Sequence, residues 1–77
     1  MTHTQLLQFI QNNITHISQT RDVNTMNERY HYVIGQITLA YCLELISLQE
    51  HDKFVDECDE AVAIFEAKTC IMNSTEQ

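Results

Sequence analysis

The stretch Ile37-Thr38-Leu39-Ala40-Tyr41-Cys42-Leu43-Glu44-Leu45-Ile46-Ser47-Leu48-Gln49-Glu50 decides how this chain folds. Its first ten residues are apolar on nearly every side at helical spacing. Its last four read Ser-x-x-Glu, the capping box in which a Ser side chain and a Glu side chain satisfy each other's otherwise unpaired backbone N–H groups at a helix start. One helix therefore ends and the next begins with almost no loop between them. Two consecutive helices joined so tightly form a hairpin and run antiparallel.

Working outward, two further boxes of the same form stand ahead of helix-period patterns, Thr2…Gln5 and Thr25…Glu28. Three starts at helix-length spacing predict three helices. The first spans about His3 to Ser18, with Leu6, Ile10, Ile14 and Ile17 on one face and Leu7 and Phe9 widening it. The second spans about Met26 to Leu45 or Ile46. Its main face carries Met26, Tyr30, Val33, Ile34, Ile37, Ala40, Tyr41 and Leu45, and a second face carries Tyr32, Leu39, Cys42, Leu43 and Ile46. The third spans Leu48 to about Cys70, with Phe54, Val55, Cys58, Ala61, Val62, Phe65 and Met72 as its apolar stripe, and Asn73 to Gln77 reads as a frayed polar tail. The expected fold class is all-α: one domain of 77 residues with no Pro and one Gly, too poor in turn punctuation for a strand-rich fold. Gly35, in the middle of the second helix, is either a site of close backbone approach or a tolerated helix weakener.

One copy gives the second helix two neighbours, which leaves the face of Tyr32, Leu39, Cys42, Leu43 and Ile46 uncovered. Exposed apolar patches mark interaction sites, and symmetric self-association is the commonest way to cover one. A homodimer or higher homo-oligomer built on that face is expected, with a monomer awaiting a different protein as the alternative.

Net charge is −7, from four Lys and Arg against eleven Asp and Glu. All of the imbalance lies in residues 44–77; residues 1–43 balance Asp22 and Glu28 against Arg21 and Arg29. An acidic chain argues against direct binding to nucleic-acid phosphates, which needs clustered cations. No unbroken apolar run exceeds five residues, the length of Leu39 to Leu43, too short for a membrane span or a signal-peptide core. Asp52, Asp56, Asp59, Glu60 and Glu66 share the side of the third helix opposite its apolar stripe. They are either a solvated face that keeps a small domain soluble or a docking face for a basic partner, in its sharpest form a mimic of DNA phosphates.

Little points to chemistry. Cys42, Cys58 and Cys70 are an odd set without a CxxC pair, which suits reduced thiols in a cytosolic protein. Glu28 and His31 make an ExxH pair of the kind that binds two metals in four-helix carboxylate proteins, but Glu28 is expected to serve the Thr25 box and no matching inward Glu stands at its depth. No metal, cofactor or catalytic residue is expected, and the function expected is non-enzymatic. Glu44 is out of place on an apolar face; snorkelling to the bundle end, pairing with Lys68, and pairing with Arg29 of another copy all remain open.

The segment Gly35 to Glu50, about a fifth of the chain, resembles a pattern in small phage and prophage proteins, where an apolar helix ending in Ala-Tyr-x-Leu-x-Leu-Ile-Ser turns at once into an acidic helix. Where this chain has Glu44 the pattern often has Gly. The resemblance implies a bacterial cytoplasm and an accessory factor that binds and modulates a host protein. A DNA-mimic inhibitor of a restriction or CRISPR complex and a structural assembly subunit are the rival readings.

Overall fold

In a computed structural model the backbone is described for residues 1–75 and side-chain surroundings for residues 1–69. Three helices are present: α1 (His3–Ser18), α2 (Val23–Cys42) and α3 (Leu48–Thr75). Among the described residues there is no strand. Each helix packs against both others. Side-chain contacts fix the directions. His3 meets Glu50, so α1 and α3 start at the same end. Arg29 meets His16 and Gln36 meets Asn13, while Tyr30 meets Asp59 and Tyr41 meets His51, so α2 runs against both. The bundle is up-down-up and elongated, 49 by 18 by 18 Å.

The core follows the helical periods. Ile10, Ile14 and Ile17 of α1, Met26, Val33, Ile37 and Ala40 of α2, and Phe54, Cys58, Ala61 and Phe65 of α3 are buried, with Leu6, Leu7, Tyr30, Ile34, Val55 and Val62 packed around them. Buried polar or charged residues are lacking among the described residues. Met72, the last residue of the expected stripe, lies outside the described side chains.

The first and third capping boxes form as read. Thr2 Oγ1 accepts from the Gln5 N–H at 3.1 Å while Gln5 Oε1 accepts from the Thr2 N–H at 2.8 Å. Ser47 and Glu50 make the same reciprocal pair at 3.1 and 2.8 Å. The second box does not form. Asp22 is the N-cap of α2, its carboxylate accepting from the Asn24 and Thr25 N–H groups, and the Thr25 hydroxyl donates to the same carboxylate. A carboxylate at the positive end of the helix dipole is a stronger acceptor than a hydroxyl. Three residues thereby join α2 ahead of Met26, and the expected commitment of Glu28 to Thr25 is removed.

The other end of α2 also departs from expectation. The helix stops at Cys42, not at Leu45 or Ile46. The Glu44 N–H bonds the Tyr41 carbonyl at 3.0 Å, and the Leu45 N–H bonds the Ala40 carbonyl at 2.8 Å. This is the Schellman pattern, which turns a helix end through one left-handed residue. Glu44 is that residue, at φ 60°. It neither packs on the apolar face nor pairs with Lys68; it is the exposed hinge of the turn. Arg29 instead donates to the His16 carbonyl at 3.3 Å, at the C-terminal end of α1.

At its far end α3 continues to Thr75, through residues 73–75 that read as a frayed tail; residues 76–77 lie outside the described residues. Gly35 is exposed, and a Cβ built on it meets nothing within 4 Å. Of its two readings, the tolerated helix weakener fits this chain taken alone.

Candidate interaction surfaces

The five residues expected to form one self-association face separate into three environments. Tyr32, Leu39 and Leu43 lie on the outer face of α2, 64%, 59% and 59% exposed. Cys42 is also exposed, but it lines a different crevice at the hairpin end with His3, Tyr41, Glu44 and Glu50. Ile46 is 4% exposed and belongs to the core. The expectation of an exposed Ile46 assumed that α2 continued through it. Because the Schellman turn reverses the chain two residues earlier, Ile46 swings inward under the start of α3.

Three residues assigned to the main apolar faces move the other way. Tyr41 is 39%, Phe9 44% and Leu45 49% exposed. Tyr41 lies at the hairpin-end crevice; Phe9 and Leu45, with Leu6, Ile10, Gln36, Leu39, Ala40 and Leu43, line an apolar groove between α1 and the C-terminal end of α2, about 170 Å³ in volume. The signal for Phe9 was present in the sequence: it sits one residue, or 100°, before Ile10 of the Ile10–Ile14–Ile17 stripe. No comparable signal marked Leu45, whose position depends on where α2 stops. At the inner end of this face Gln36 accepts from the Asn13 amide at 2.9 Å, tying the two helices together.

The acidic residues lie around the other side of the bundle. Asp52, Asp56, Asp59, Glu60 and Glu66 are all exposed on α3. Asp59 does more than meet solvent: it accepts the Tyr30 hydroxyl at 2.9 Å, bridging α3 to α2. That bond, with burial adding to it, raises the Tyr30 phenol above its usual range. Asp52 sits 3.0 Å from His51 Nδ1. Glu57 is turned towards α1, beside Gln11, Ile14, Thr15 and Ser18, and its enclosed Oε2 has no hydrogen-bond partner.

Among the described residues, the candidate reactive groups named from the sequence stand apart. Cys58 is fully enclosed, and burial, reinforced by Asp59 and Glu57, pushes its thiol up to about 12, far from nucleophilic use. Glu28 and His31 are both exposed on α2. Among the described residues no three His, Cys, Asp or Glu side chains are placed to hold a metal ion. Among the same residues, no helix is long and apolar enough to cross a membrane.

At the hairpin end Glu50 has two tasks. It caps Ser47, and its Oε2 meets His3 Nε2 at 2.9 Å, joining the first turn of α1 to the first turn of α3. The Ser47 N–H, then His3, hold the Glu50 carboxyl below its ordinary 4.5, and the Thr25 hydroxyl holds Asp22 below 3.8. A folded-state value below the unfolded one stabilises the fold above the unfolded value and loses that contribution as pH falls through the folded one. The urea midpoint is therefore expected to fall below about pH 4.5, and Glu50→Gln to flatten that fall, as followed by helical ellipticity.

The fold defines the class: a three-helix, up-down-up bundle with an apolar groove on one side and an acidic helix face on the other. No family model, curated protein or solved structure matches the chain.

Proposed function

We propose that this protein is a non-enzymatic interaction module, an accessory factor that works by docking a host protein through the α1/α2 groove. The observation that carries the reading is the exposure of Phe9, Leu39, Leu43 and Leu45 around one apolar groove. Contiguous apolar surface that remains in water is costly and is retained where a partner covers it. The phage-like junction and the bacterial cytoplasm it implies belong to the same proposal.

A second reading rests on α3. Five exposed acids on one helix face suit a basic partner, and a DNA-mimic inhibitor would use them. Against it, the acids are confined to one helix of three, and Asp59 is engaged with Tyr30.

Salt separates the two, because contacts between exposed charges are screened within about 8–10 Å at physiological ionic strength whereas apolar contacts are not. The immobilised protein is expected to capture its partner from bacterial lysate equally at low and high salt. Leu39→Glu/Leu43→Glu should abolish capture. Neutralising Asp52, Asp56, Glu60 and Glu66 to Asn or Gln, which takes the charge from −7 to −3 (−7 + 4), should not. Capture lost in the neutralised variant and in high salt, with α-helical ellipticity intact, would overturn this reading in favour of the mimic.

A further inference from the structure

We infer that the surface formed by the outer face of α2 and the α1/α2 groove takes a second copy of this chain, in a two-fold arrangement that places both α3 helices outside. The inference rests on the reading of that surface as a docking site, and makes a second copy the competitor of the host protein for the same groove.

The first argument is area. Phe9, Tyr32, Leu39, Leu43 and Leu45 are 44–64% exposed on adjoining parts of α1, α2 and the turn. At about 150–250 Å² for a large side chain, they leave on the order of 500 Å² of apolar surface in water. A standard interface buries about 800 Å² per partner. Homodimer interfaces are about 65% apolar, so one side of such a dimer calls for an apolar area of this size.

The second argument is charge. Residues 1–43, which supply α1 and α2, are net neutral, and residues 44–77 carry the whole −7. Two identical acidic chains repel unless their acidic faces are kept apart. Docking through α1 and α2 puts one bundle layer of each copy between the two α3 helices. With 8–10 Å between packed helices, the α3 axes stand roughly 25 Å apart, beyond the screening length of about 8–10 Å. Docking through α3 would bring the two charged faces together.

The third argument is pattern. Tyr32, Gln36, Leu39 and Leu43 follow each other at i, i+4, i+7 and i+11, the spacing of a helix–helix seam. In an isologous contact the same seam meets itself. Gln36, held by Asn13, is the polar residue of that seam, and a polar seam residue sets register between helices.

The test is sedimentation equilibrium of the full chain, paired with the lysate capture described above. The unmodified protein is expected to sediment as a dimer, at twice 9.0 kDa, down to the low micromolar range, about 8 kcal/mol of association. Leu39→Glu/Leu43→Glu should weaken association at least ~100-fold while keeping helical ellipticity, because both side chains are exposed in one copy. Neutralising Asp52, Asp56, Glu60 and Glu66 should leave the dimer in place. A monomer at about 100 µM, a hundred times a micromolar Kd, would overturn the inference. If Leu39→Glu/Leu43→Glu still abolished capture, the docking reading would survive with a different occupant; if it did not, both would fall. A dimer unaffected by the two Glu substitutions would also overturn the inference, by placing the contact elsewhere.

Discussion

Truncating Ile46 to Ala is expected to cost about 2–5 kcal/mol, whereas Leu39→Ala and Leu43→Ala should each change the stability of a single copy by less than about 0.5 kcal/mol. All three residues fall on one face of an uninterrupted helix, and a reading of helical periodicity treats them alike. The bundle separates them: Ile46 is 4% exposed, and both leucines are 59% exposed. The cost at Ile46 combines lost transfer energy with the cavity left among core residues that cannot fully collapse. Urea unfolding followed at the helical band, well below micromolar concentration so that association does not contribute, provides the measurement. Three equal and small effects would mean that α2 runs on through Ile46 in solution, and the reversed turn would be wrong.

The second large effect concerns the placement of glycine. Glu44→Gly is expected to stabilise the fold by about 1 kcal/mol, because an L-residue in the left-handed conformation costs roughly 1–2 kcal/mol and Gly does not. For a domain of this size that raises Tm by about 4–8 °C. The only Gly of the chain stands instead at position 35, mid-helix and exposed, with open space around its missing Cβ. Gly35→Ala should add up to about 1 kcal/mol through helix propensity. Gly35 lies within α2 and Glu44 in the turn beyond it, nine residues on, so their effects should add. Calorimetry of both single variants and the double variant measures this. Glu44→Ala is the informative control: it retains the left-handed penalty and should not reproduce the gain of Gly. An equal gain from Ala would remove the strain argument.

Much of this architecture was legible from residue order. The Ile10–Ile14–Ile17 stripe, the Phe54–Cys58–Ala61–Phe65 stripe and the Thr2 and Ser47 boxes are local patterns, and local patterns act on the chain within one or two turns. They predict α1 at its observed bounds, the start of α3 at Leu48, and the helical hairpin. At the start of α2 two caps compete. Thr25 matches a motif, but Asp22 offers a charged acceptor three residues earlier and takes the Thr25 hydroxyl as well. The order of acids along α3 was equally plain, and their exposure follows from the stripe opposite them.

Residue order alone is enough for three amphipathic helices, their order, and a charge asymmetry between α3 and the rest of the chain. Where α2 ends, and which apolar residues are left in water, depends on how the three helices pack. From Ile37 to Ile46 nearly every side chain is apolar, so periodicity has no contrast from which to choose a buried side. The choice is made when α3 folds back on its own stripe: the turn at Glu44 carries Ile46 into the core and leaves Leu45 beside Phe9, Leu39 and Leu43 at the groove. A left-handed Glu is locally unfavourable. It persists because straightening it would withdraw Ile46, and with it the start of α3, from the core.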